Sequence, residues 1–210
     1  MFAILKQILF GSRFALSEKA HAEKSAALEE LLGPVYDEVN EAIERNDLCY
    51  FARCLPGTAV ATCHLIQASG NTAGFLRRPI PYELVAFTRH SVEQLDTDDA
   101  VAEFQSSVGR ITYILDTVGR YSTVDTLKPG SCCEVPARRG ERPGYLVFLE
   151  YTRDNKRLTI AGRVYSLLLC IEVFEEEMYY ARVNGVAALV EKLTAAGCYP
   201  YSDLDRSSVV

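Results

Sequence analysis

The stretch YFARCLPGTAVATCHLI, residues 50–66, carries two apolar runs on either side of Pro56-Gly57. A Pro-Gly pair is turn chemistry: proline presets φ at the first corner, and glycine accepts the left-handed conformation at the next. The stretch therefore reads as strand, tight turn, strand. Val60, Thr62, His64 and Ile66 fall on one face, and Ala61, Cys63 and Leu65 on the other. Strands joined this closely pair antiparallel, because parallel neighbours need a crossover of about a dozen residues or more.

Working outward, PYELVAFTRH (81–90) has Leu84, Val85, Ala86 and Phe87 apolar on both faces, which suits a central strand. YLVFLEYT (145–152) and VYSLLLCIEV (164–173) are the last two strands, joined by RDNKRLTIAG (153–162). Between these groups the period changes. After the acidic loop EQLDTDDA (93–100), Phe104, Val108, Ile111, Leu115 and Val118 repeat at helical spacing. Upstream, Leu28, Leu31 and Leu32 mark a helix that stops at Gly33, with Pro34 opening a new turn; residues 35–44 fit helix or strand. Downstream, Glu175, Glu176 and Glu177 place negative charge at the start of a short helix through Arg182. A last helix with Val186, Leu189, Val190 and Leu193 on one face stops at Gly197. The expected fold class is α+β: a mixed, mainly antiparallel sheet with helices packed on one face and at the ends. Residues 1–17 form an N-terminal amphipathic extension with Phe2, Leu5 and Leu9 on one side, 18–206 a single domain, and 207–210 a tail.

With 210 residues, 49% hydrophobic and 24% charged, the chain is long enough for one sizeable core. Twenty-eight acidic against 22 basic residues give −6, and the basic residues are scattered, so nucleic acid is not an expected partner. The opening MFAILKQILFGSRF is broken by Lys6 and Gln7 and falls short of the ~20 residues of a bilayer span. No membrane partner is expected. Seven cysteines, an odd number without a secretory signal, point to the reducing cytoplasm.

Residues able to carry chemistry are few. Cys132 and Cys133, in KPGSCCEV (128–135), enter a short strand side by side, so their thiols point to opposite faces and behave as packing. Cys49, Cys54, Cys63 and His64 are the one set that suggests a thiol- or zinc-dependent enzyme, yet 49/54 and 63/64 are odd separations, which place strand side chains on opposite faces. Glu150 and Glu172 lie in adjacent strands, either facing one another as an acid-base pair or pairing with Arg153 or Arg163. His21 reads as solvated and His64 as a core histidine; His90, at a strand end, is best placed for a site. Phosphate-binding loops, nucleophile elbows and HExxH are absent from the sequence. No catalytic residue, cofactor or metal is expected. The features that lean towards recognition are the strand end Arg89-His90 and the ending GCYPYSDLDR (197–206), whose Tyr199 and Tyr201 flank a proline ahead of Asp203.

LEELLGPVYDEV (28–39), LPGTAVATCHLI (55–66), YELVAFTRH (82–90), RYSTVDTLKPGSCCEV (120–135), YLVFLEY (145–151) and the ending from Ser166 to Arg206 follow in an order that resembles the bacterial Suppressor-of-fused-like family. The resemblance covers residues 20–206 and implies a mixed binding domain rather than an enzyme. The animal relative looks like a two-lobed clamp that holds an extended segment partly by strand addition, and this chain is similar to one lobe. Bacterial members are proposed to be immunity proteins that neutralise a toxin of the same organism. The expected partner is thus another protein, with Arg89, His90, Tyr199, Tyr201 and Asp203 as contact residues.

Overall fold

The computed structural model describes residues 22–36, 48–52, 55–66, 80–122, 124–137 and 140–210. The N-terminal extension and residues 37–44 of the helix-or-strand stretch lie outside them. Helix α1 (22–32) is followed by β1 (Leu48–Ala52), β2 (Thr58–Thr62), β3 (Tyr82–Thr88), α2 (Asp98–Tyr121), β4 (Cys132–Val135), β5 (Gly144–Glu150), β6 (Leu158–Ile160), β7 (Arg163–Val173), α3 (Glu175–Asn184) and α4 (Val186–Ala195). The sheet order is β1-β2-β3-β7-β5-β4, with β6 paired to β7. Every pairing between these strands is antiparallel except β3 with β7, where Tyr82 stands opposite Ser166 and Val85 opposite Leu169. The chain is α+β with an open, mainly antiparallel sheet.

Alternation along the strands builds two cores. Val60, Tyr82, Leu84, Ala86, Leu146, Phe148, Leu168 and Cys170 meet Phe104, Val108, Ile111, Leu115 and Val118 of α2 on one face. Ala59, Ala61, Val85, Phe87, Val147, Leu169 and Ile171 meet Leu28, Leu31 and Leu32 of α1, Met178 and Ala181 of α3, and Leu189 and Leu193 of α4 on the other. The helices thus cover both faces, a fuller layering than one face and the ends. The cause is legible in β3 and β7, whose central residues are apolar on both sides and must be covered twice. No helix among the described residues is long and apolar enough to cross a membrane.

Three local details depart from the sequence expectations. Gly33 does end α1 with φ near 90°, but Pro34–Tyr36 then run beside β1 instead of opening a helical turn: Ala52 N donates to Pro34 O and Tyr36 N to Tyr50 O, both at 2.9 Å. Strand β6 is too short, at three residues, to show an alternation in RDNKRLTIAG. Strand β2 ends at Thr62, so the alternation projected to Ile66 fails and Leu65 joins the α2-side core. Glu83 bends the chain there, accepting from Leu65 N and Ile66 N at 3.2 Å and from Thr62 Oγ1 at 2.7 Å. Its charge is balanced by Lys24 Nζ of α1 at 2.9 Å, which also donates to Cys63 O, and both side chains are buried.

Candidate functional site

Strands β3 and β7 stay paired only as far as Val85 and Leu169, and beyond that the C-terminal segment enters between them. Tyr201 forms a parallel bridge with Phe87, and Ser202 N donates to Phe87 O at 2.8 Å. The Ser202 hydroxyl donates to Cys170 O at 3.2 Å and accepts from Glu172 N at 3.1 Å, so one side chain satisfies the β7 groups that β3 leaves behind. Asp203 fastens the same segment to the end of β3. Its carboxylate accepts from Thr88 Oγ1 at 2.6 Å and from Arg89 N at 2.8 Å. His90 N in turn donates to Thr88 Oγ1 at 3.2 Å.

Arg89 closes this arrangement from outside. Its guanidinium donates to Gly197 O at 2.7 Å, lies 4.8 Å from the centre of the Tyr201 ring and stands 4.0 Å from Asp203. The Arg89 side chain keeps 38% of its surface and that of Asp203 only 3%. His90 is half-buried, with Nδ1 4.0 Å from Glu103 of α2. Tyr199 is half-buried against the core under α4, and burial pushes its hydroxyl above the ordinary tyrosine range. Arg89 therefore contacts both Tyr201 and Asp203, with His90 alongside, while Asp203 spends both oxygens inside the molecule. Arg89 and Tyr201 are both half-buried, Tyr201 packing against the α1-side core as well.

Two clefts meet at the ridge. One, of about 550 Å³, is lined by Arg110, Glu141, Arg142, Glu172, Ser202 and Asp203; the other, of about 340 Å³, by Leu55, Pro56, Gly57, Arg89, Ser91 and Gln94. In the larger cleft Arg110 of α2 grips the buried Glu172, with Nη2 to Oε1 at 2.6 Å and Nε within 3.2 Å of both oxygens, and reaches Glu141 through Nη1 at 2.9 Å. The hydrogen bond to Glu172 raises the Arg110 guanidinium further above its ordinary range against the opposing effect of burial. Gly144 leaves the room this pair needs, since a Cβ there would sit 3.2 Å from Arg110 Nη2 and 3.4 Å from Glu172 Oε1. Glu150 and Glu172 are not an acid-base pair. Glu150 stands opposite Leu168, four residues along β7 from Glu172, and has Arg157 at 3.6 Å. The cationic partners are thus Arg110 and Arg157, not Arg163 or Arg153.

The thiols divide as strand alternation requires for one set and not for the other. Cys132 packs on the α1-side core and Cys133 on the α2-side core. Burial pushes both thiols up, Cys133 to about 11, which makes each a poor nucleophile. Cys49 and Cys63, by contrast, face the same core from diagonal positions across β1 and the end of β2, while Cys54 lies outside the described residues. Among the described residues no three His, Cys, Asp or Glu side chains gather where a metal ion would fit.

No family model and no curated protein matches this chain. Among solved structures it is similar to a chain of the Sufu-Fu complex crystal structure, at 16% identity and a TM-score of 0.51 over 77% of this chain and 76% of that one. The chain has a Sufu-like fold.

Proposed function

We propose that this chain is a non-catalytic protein-binding domain of the bacterial Suppressor-of-fused-like group, acting in the cytoplasm as an immunity protein that neutralises a toxin of its own organism. The observation that carries the reading is the fold it shares, over three quarters of its length, with a component of a protein–protein complex. The ridge of Arg89 and Tyr201 supplies a fitting contact: an arginine stacked on a tyrosine, braced from beneath by Asp203. Arginine and tyrosine dominate the binding energy of many interfaces, and a side chain already held in place loses little freedom on docking. His90 and Tyr199 flank it. A net charge of −6 favours approach by a basic partner.

The test is capture from the source organism with the full tagged chain, combined with growth rescue when neighbouring toxin genes are expressed. Arg89→Ala and Tyr201→Ala are each expected to weaken capture by roughly 30-fold, the equivalent of a ~2 kcal/mol contact residue. Capture and rescue that survive both substitutions would move the contact elsewhere; absence of rescue by every neighbouring gene would remove the immunity role.

A further inference from the structure

The strand register, not the sequence spacing, brings Cys49 and Cys63 together. Cys49 stands opposite Ala61 across the β1–β2 pair, and Cys63 follows Ala61 by two positions, so both side chains turn to the same core. Cys49 and Cys63 are thus diagonal neighbours across the pair, and the Cys63 thiol donates to Ala61 O, opposite Cys49, at 3.9 Å. Cys63 is 2% exposed, whereas Cys49 is half-buried. Three further groups act on the pair: Lys24, whose ammonium is anchored on Cys63 O and Glu83; Glu83 itself; and Glu29, which acts on Cys49. The neighbouring Cys63 thiol favours a Cys49 thiolate, burial opposes it, Lys24 supports it, and Glu83 and Glu29 oppose it; the balance lies below the ordinary thiol range. Cys63, acted on by the Cys49 sulfur and by its burial, is held well above that range.

We propose that Cys49 and Cys63 form a redox site in which a small hydroperoxide converts the two thiols to a disulfide that staples β1 to the end of β2. The Cys49 thiolate attacks the peroxide: an S–O bond forms, the O–O bond breaks, and the departing oxygen takes a proton and leaves as water or an alcohol. The Cys63 sulfur then attacks the Cys49 sulfenic acid. An S–S bond forms, the S–O bond breaks, and hydroxide leaves as water with the Cys63 proton. Two electrons pass from the two thiols to the peroxide. The proposal is independent of the protein-binding reading, since it uses none of the ridge residues.

The experiment treats the reduced full chain with a small excess of hydrogen peroxide, alkylates the remaining thiols, and reads intact mass and non-reducing peptide maps. A loss of about 2 Da, two fewer alkylatable thiols and a Cys49–Cys63 cross-linked peptide that disappears with dithiothreitol are expected. In Cys63→Ser the cross-link is absent and Cys49 runs on to a sulfinic acid, a gain of about 32 Da, while Cys133→Ser leaves the cross-link intact. Unreacted protein, a Cys49–Cys54 link, or oxidation of Cys132 or Cys133 ahead of Cys49 overturns the proposal.

Discussion

Replacing Glu177 by glutamine should loosen the C-terminal segment that shapes the ridge. Glu177 sits in the first turn of α3, fully buried, and its carboxylate has four donors. Arg206 Nη1 reaches Oε1 at 2.6 Å and Nη2 reaches Oε2 at 2.8 Å; Val209 N and Phe174 N complete the set at 2.9 and 3.0 Å. Glutamine keeps the shape but leaves the Arg206 guanidinium, whose side chain is 9% exposed, without a counter-charge. It also turns an amide NH₂ towards one of the two backbone donors. Breaking a buried pair from one side costs about 3–5 kcal/mol, and Arg206 keeps its bond to Ser207 O, so the lower end applies: about 3 kcal/mol. For a chain of this size that is a fall in Tm of roughly 6–12 °C. Burial alone would raise the Glu177 carboxyl, but Arg206 and the two backbone donors together hold it below its ordinary range. A carboxyl lowered on folding contributes stability that is complete above its unfolded value of ~4.3 and drains away as pH falls through the folded one. The gap between wild type and Glu177→Gln should therefore be full near neutrality and narrow below about pH 4. Urea titration of Glu177→Gln, Arg206→Met and the double variant is the assay, with a coupling of about 2 kcal/mol expected. Additive single effects, within ~0.5 kcal/mol, would refute the pairing as the source of the stability.

Gly57→Ala should destabilise by about 3 kcal/mol or more, because its φ of +104° strains a side chain and the new Cβ would lie 2.0 Å from Thr88 O. A midpoint in urea unchanged from wild type would show that the turn can move away from the end of β3. Lys24→Met should cost about 3–5 kcal/mol by stranding Glu83, and Glu83→Gln in the same chain should restore part of it. The check is whether the double variant is more stable than Lys24→Met alone by chemical denaturation; equal stabilities would count against the ion pair.

Most of the fold could be read from residue periodicity, and the parts that could not have a common cause. The 50–66 hairpin, the apolar β3 and β7 and the α2 stripe each carry their signal within a single segment. Pairing between distant segments has no such local signal. The parallel match of β3 to β7 spans about eighty residues, and residues in β3 read the same whether their neighbour runs up or down. Covering both sheet faces was implied by Leu84–Phe87 being apolar throughout, but not which helix goes where. The same limit applies to the site. Arg89 and Tyr201 were singled out separately as a strand end and a tail, whereas their stacking depends on the tail returning to β3. Cys49 and Cys63 were weighed within a metal set through the odd separations 49/54 and 63/64; the cross-strand register, which decides their contact, is invisible in a single sequence. Gly144 was the overlooked local signal, a small residue at the start of a strand where an ion pair passes close by.

The ridge exists because two strands that begin as neighbours acquire different partners. Past Val85, β3 remains tied to β2, while β7 continues along β5 from Leu168 to Val173. A gap between diverging strands exposes backbone donors and acceptors that something must satisfy. Ser202 and Asp203 do so with side chains that match the two strands separately, and the turn in which Tyr201 N donates to Cys198 O at 3.0 Å brings them there. The fastening extends further, through Arg206 and Val209 to Glu177. A surface held from both ends in this way is rigid, so a partner that docks on Arg89 and Tyr201 meets side chains already ordered by the fold. The division of labour follows: the buried residues of the segment set where the ridge stands, and the proposed contact with a partner falls to the half-buried Arg89 and Tyr201.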